Sequence, residues 1–230
     1  MKFLSKLEKQ PWGSEDSSPS GKLAAFALLI AAVFIIPFVS QKLLGDRLTL
    51  PDVLLFSSMP GICAYGFFIA KKVPFKLLSA KEFFSCASWG LLVILISGCA
   101  TFVWETLLTL FNIPFEKEQF AFVLIRDSRG MDLVKLFFGL CIFTPLIEEL
   151  LFRRIIYGFF LRWGYGSAFF ATALLFSFCH FFTAGLPGLF ILGIGFQFAY
   201  LKYRNLSAAV LMHAMVNSFA FMGALGGNGV

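Results

Sequence analysis

The chain has 230 residues, 59% of them hydrophobic and 14% charged, with 32 Phe, 20 Gly and a net charge of +6. Soluble domains are roughly half apolar and a quarter charged, so this balance excludes a disordered chain, a nucleic-acid-binding domain and a disulfide-stapled secreted module. With a mean hydropathy of +0.84, lipid is the expected solvent for most of the residues, and the 19 Lys and Arg scattered between apolar blocks suit loops lying against anionic headgroups.

Residues 1–22 begin with basic residues but have neither an apolar run nor a cleavage site, so they read as a solvated tail rather than a signal peptide. Residues 23–230 read as a single transmembrane domain. A hydrocarbon core about 30 Å thick needs roughly 20 apolar residues per helix. Seven runs qualify in chain order: Leu23 to Ser40, Val53 to Ala70, Phe83 to Phe111, Leu136 to Leu161, Ser167 to Thr183, Leu186 to Tyr203 and Leu206 to Leu225. The third is long enough to demand tilt. Between the third and fourth, Asn112 to Lys135 carries eight charged residues and is the expected extramembrane loop.

The runs are continuous rather than alternating, which predicts helices and not a barrel. The expected fold is therefore an all-α, polytopic transmembrane helical bundle with about seven membrane helices. With the N-terminus cytoplasmic, 12 loop Lys and Arg fall inside and 6 outside, the usual bias. The five Cys lie within apolar stretches and form no C-x-x-C pair, so they read as small buried hydrophobes.

Against this background the informative residues are the ones that lipid penalises. The fourth run contains Glu148-Glu149-x-x-x-Arg153. Each mid-helix charge costs on the order of 3 kcal/mol, and the three together about 9, while each Leu, Ile or Phe returns roughly 0.3 to 0.6. Glu149 and Arg153, spaced i to i+4, share a helix face and can pair, whereas Glu148 points about 100° away. The fifth run ends in Phe176-x-x-x-His180 and the seventh holds His213-x-x-x-Asn217; these are the two His of the chain.

Counted at about 1.5 Å per residue from the expected cytoplasmic helix ends at Arg162, Gly164 and Arg204, Glu148, His180 and Asn217 all lie roughly 20 to 24 Å along their helices, with His213 a turn lower. The three helices are thus expected to bring these groups to one level of a buried, wet cavity. A carboxylate, imidazoles and an amide suit the activation of water and the holding of an oxyanion. Two His with Glu or Asn would also satisfy a divalent metal such as zinc, although the H-E-x-x-H spacing is absent. Ser177 and Cys179 flank His180 as alternative nucleophiles.

In this order on successive helices, the three motifs resemble those of the CPBP family, the CAAX proteases and bacteriocin-processing enzymes also called the Abi family. The resemblance covers about residues 133–223 and departs from the family in having Arg154 where Gly usually follows the motif Arg. It implies an intramembrane endopeptidase in which Glu148 activates water with the help of His180, while His213 and Asn217 hold the oxyanion and Glu149 and Arg153 orient the site. The resemblance leaves open whether a metal takes part. It implies a membrane-associated peptide or protein as substrate; composition speaks against nucleic acid, and the short chain without a eukaryotic targeting sequence suggests a bacterial inner (cell) membrane location. The competing readings are a transporter with an intramembrane polar site and a non-catalytic scaffold or immunity protein.

Overall fold

The computed structural model describes residues 75–116 and 118–226. The tail 1–22 and the expected spans Leu23 to Ser40 and Val53 to Ala70 lie outside the described residues. Among the described residues every regular element is helical. They are α1 (Ala80–Leu110), α2 (Phe120–Asp127), α3 (Gly130–Trp163), α4 (Tyr165–Phe178), α5 (Leu186–Tyr203) and α6 (Leu206–Gly226). Of these, α1, α3, α5 and α6 are long and apolar enough to cross a bilayer, so the protein is an integral membrane protein.

α1 starts at a capping box in which the Ser79 hydroxyl accepts from the Glu82 N–H while Glu82 accepts from the Ser79 N–H, satisfying two otherwise orphaned donors. α3 is not one regular helix. Gly139–Phe143 and Leu150–Ile156 are π-helical, with Thr144 N–H reaching back to the Gly139 carbonyl and Tyr157 N–H to that of Phe152. In this register the next donor would be residue 145, which is Pro and has no N–H, so the Leu140 carbonyl is left without a partner in the helix. Asn217 on α6 supplies one, its amide donating to Leu140 O at 2.8 Å.

Two expectations change here. The stretch expected as a loop contains α2, whose Ile125 packs with Leu136, Cys141 and Phe221 and whose end is clasped by Arg126 donating to Glu118. The span expected over Ser167 to Thr183 stops at Phe178, and its 14 residues reach only about 21 Å at 1.5 Å each, short of a full crossing. The chain then turns through Phe181, at φ 48°, and Trp104 on α1 donates its indole N–H to the Thr183 carbonyl at 3.0 Å. Irregular backbone near membrane depth survives only where protein or a wet cavity satisfies it.

α5 is the central helix, packed on α1, α4 and α6. Its close approaches depend on missing side chains: a Cβ on Gly188 would sit 3.0 Å from the Ser97 carbonyl, and one on Gly193 would sit 3.1 Å from Ala173 Cα. Small residues at helix contacts let backbones approach where no hydrophobic force drives the helices together. Ser97 Oγ uses that proximity to donate to Gly188 O at 3.0 Å. Asn205, in the turn between α5 and α6, fixes the segment before α1 by bonding both the N–H and the carbonyl of Lys76.

Candidate active site

The polar residues of α3 lie where its α-helical stretch Thr144–Glu149 gives way to the second π segment. Arg153 donates from Nε to Glu149 Oε2 at 2.6 Å and from Nη2 to Glu149 Oε1 at 3.3 Å. Both side chains are fully buried. The guanidinium is flanked by the rings of Phe176 and Phe196, 5.4 and 5.9 Å from their centroids, and cation–π attraction strengthens where water is excluded. Its remaining edge is held by Gln197 on α5, whose Oε1 accepts from Nη1 at 3.3 Å.

Glu149 Oε1 also faces His213 Nδ1 at 3.0 Å. A carboxylate paired with a guanidinium accepts here, so Nδ1 carries the proton and Nε2 is left as the functional nitrogen. The His213 ring is stacked on Phe196, 4.7 Å away at 18°, and meets Phe176 edge-on at 5.6 Å. Its Nε2 lies 3.8 Å from Glu148 Oε2, too far for a direct hydrogen bond but short enough for both to contact one water. Glu148 is 21% exposed whereas Glu149 is 0% exposed, and among the described residues Glu148 Oε2 has no hydrogen-bond partner.

His180 is not within a helix but in the turn after α4. Its Nδ1 donates to the Phe176 carbonyl at 2.7 Å, which frees Nε2. Its ring lies 4.8 Å from that of Phe176, so Phe176 touches both imidazoles. Asn217 is committed to Leu140 O through one amide hydrogen and retains the other. Glu148, Glu149, Arg153 and His213 thus form one cluster, His180 joins it through Phe176, and Asn217 is tied to the backbone of the same α3.

Ser177, weighed from sequence as a nucleophile, is buried and spends its hydroxyl proton on the Leu186 carbonyl at 2.6 Å; Cys179 is exposed. A metal is poorly served. Among the described residues no three His, Cys, Asp or Glu are grouped to hold one, and the Glu149 oxygens are already taken by Arg153 and His213. Among the described residues the donors as arranged do not fit a three-ligand zinc site.

Gln197 was not singled out from sequence, yet it is fully buried in this cluster. It belongs to no spaced motif. The available signal was that it is the only side-chain amide in Leu186–Tyr203, a group that lipid penalises unless bonded.

Residues 130–219 match the family model described as type II CAAX prenyl endopeptidase Rce1-like. The match runs from α3 into α6, contains all six motif residues, and agrees with the resemblance drawn from those motifs. No curated protein and no solved structure matches the chain.

Proposed function

We propose that the protein is an intramembrane endopeptidase that hydrolyses a peptide bond of a membrane-associated protein or peptide with water activated by Glu148. The observation that carries this reading is the contrast between the adjacent carboxylates. Glu149 is locked between Arg153 and His213, while Glu148 is partly exposed and has an oxygen that is unpartnered among the described residues, beside an imidazole.

In this mechanism a water between Glu148 Oε2 and His213 Nε2 gives its proton to Glu148 as its oxygen attacks the scissile carbonyl. The second hydrogen of the water goes to an imidazole, His213 Nε2 or the free Nε2 of His180. A second water entering the 3.8 Å gap passes the proton from Glu148 to His213 Nε2, and the resulting imidazolium is stabilised by Glu149 on its Nδ1 side. His213 then donates to the oxyanion, with the second amide hydrogen of Asn217 as a supplementary donor. Collapse of the tetrahedral intermediate breaks the C–N bond. The leaving nitrogen takes the proton from His213, the new carboxyl group passes its own proton to the freed amine, and the site returns to its starting state with a carboxylate and an ammonium released.

The family description supports a prenylated C-terminal CAAX sequence as the first substrate to test. The test compares peptide termini in membranes of cells that carry the wild type and Glu148→Ala. A protease leaves new termini only in the wild type, whereas identical termini in both strains would overturn the reading in favour of a transporter or a binding scaffold.

A further inference from the structure

Gln197 ends a line of hydrogen bonds that crosses three helices. Its Oε1 holds Arg153 Nη1, Arg153 holds both oxygens of Glu149, and Glu149 holds His213 Nδ1. The amide is fully buried, and among the described residues its Nε2 has no partner. A buried amide with half its capacity unused is costly, and an apolar residue of the same size would fill the space without that cost. Packing alone therefore does not account for it.

Arg153 has three edges in use. Glu149 takes Nε and Nη2, so the plane of the guanidinium could still swing about that bidentate contact, and Gln197 is the contact that stops it from a third side. Glu149 presents Oε1 to His213 while the same oxygen accepts from Nη2 at 3.3 Å. Rotation of the guanidinium would change which oxygen is free.

We propose that Gln197 is a positioning residue that fixes the Arg153 guanidinium, and through it the Glu149 contact that holds His213 in the Nδ1–H tautomer with Nε2 turned to Glu148. Its effect on turnover rests on the hydrolase reading above; its effect on His213 does not. The charged and titratable groups around His213 are Glu148, Glu149 and Arg153 on α3, and His180 and Cys179 beyond Phe176 at the end of α4. α5 adds Tyr200, which lies within the field of Arg154 and, less strongly, of Arg153.

The chain has only two His, so protein labelled with ¹⁵N-histidine in nanodiscs gives two imidazoles, assigned with a His180→Gln variant. Tautomer and titration midpoint of His213 are read in the wild type, Gln197→Glu and Gln197→Met. In the wild type His213 should be a single Nδ1–H tautomer. Gln197→Glu places a second carboxylate on Arg153, weakens its neutralisation of Glu149, and should raise the His213 midpoint by roughly one pH unit, with a smaller change at His180. Gln197→Met matches the length without the acceptor and should mix the His213 tautomers.

A His213 midpoint and tautomer unmoved by both substitutions would overturn the proposal, as would equal shifts of both imidazoles. Should Gln197→Glu not fold, the tautomer in Gln197→Met decides by itself. These readouts need no turnover. A protein that cleaves nothing yet shows the His213 shift refutes the hydrolase reading and keeps this one, and a protein that cleaves with His213 indifferent to residue 197 does the reverse.

Discussion

Arg153→Met should be the most damaging single substitution in the cluster, and its cost can be worked from the contacts it removes. Glu149 Oε2 loses its 2.6 Å donor, Gln197 Oε1 loses its only bonded donor, and the rings of Phe176 and Phe196 lose the cation between them. Both members of the ion pair are 0% exposed, so no water replaces the guanidinium. Breaking a buried pair from one side costs about 3 to 5 kcal/mol. For a chain of this length each kcal/mol moves the melting temperature by roughly 2 to 4 °C, which gives a drop of about 6 to 20 °C. Replacing both partners removes the stranded charge, so Glu149→Gln with Arg153→Met should recover a large part of the loss. The assay is intrinsic Trp fluorescence during melting in mild detergent, at one scan rate because membrane proteins often unfold irreversibly. Arg153→Met melting within about 2 °C of the wild type, or a double variant no more stable than the single, would refute the reasoning.

Gly188→Ala should lower the melting temperature by several degrees, since its Cβ would meet Thr101 Oγ1 and the Ser97 side chain and carbonyl, an overpacking worth about 1 to 3 kcal/mol; the same melts check it. Asn217→Leu strands the Leu140 carbonyl at about 1 to 3 kcal/mol. Adding Pro145→Ala restores a backbone donor in the π register, so the double variant should lose less than the sum of the two single losses, as a double-mutant cycle would measure. Arg126 holds the Glu118 carboxyl below the ordinary carboxylate range. The clasp on α2 is therefore complete above the unfolded value and lost as pH falls through the lowered one. Amide exchange in Phe120–Asp127 should be flat with pH, after correction for intrinsic rates, until the acid side of about pH 4, then rise.

The spans that hydropathy located best are those with charge or Pro at their ends. Leu186–Tyr203 has the same bounds in sequence and structure, set by Pro187 and by Lys202 and Arg204, and α6 starts at Leu206 as expected. The fifth run misled because Cys179, Phe181 and Phe182 extend the apolar stretch past Phe178, and hydropathy does not register that the backbone turns at Phe181. α2 was hidden by the eight charges of Asn112 to Lys135, two of them its own, although its eight residues are amphipathic and bury Ile125. The pairing of Glu149 with Arg153 followed from i to i+4 spacing and is present. The π segments were not legible, because they depend on where Pro145 leaves a carbonyl free and on α6 supplying a donor. That is also why Asn217, expected beside the oxyanion, is found on Leu140 O. Gln197 needed the third dimension: it is 44 residues from Arg153 in the chain and meets it only because α5 packs beside α3.

The most direct measurement times cleavage of a prenylated CAAX peptide in proteoliposomes by the wild type, Glu148→Gln and Glu149→Gln, with melting temperature as the control. Glu148→Gln keeps shape and hydrogen bonding but cannot take the proton of water, so turnover should fall by roughly 10²- to 10⁴-fold with stability retained. Glu149→Gln should lose stability along with activity. Near-normal turnover by Glu148→Gln with a folded but dead Glu149→Gln would reverse the two roles, and near-normal turnover by both would contradict the glutamate-activated hydrolase itself.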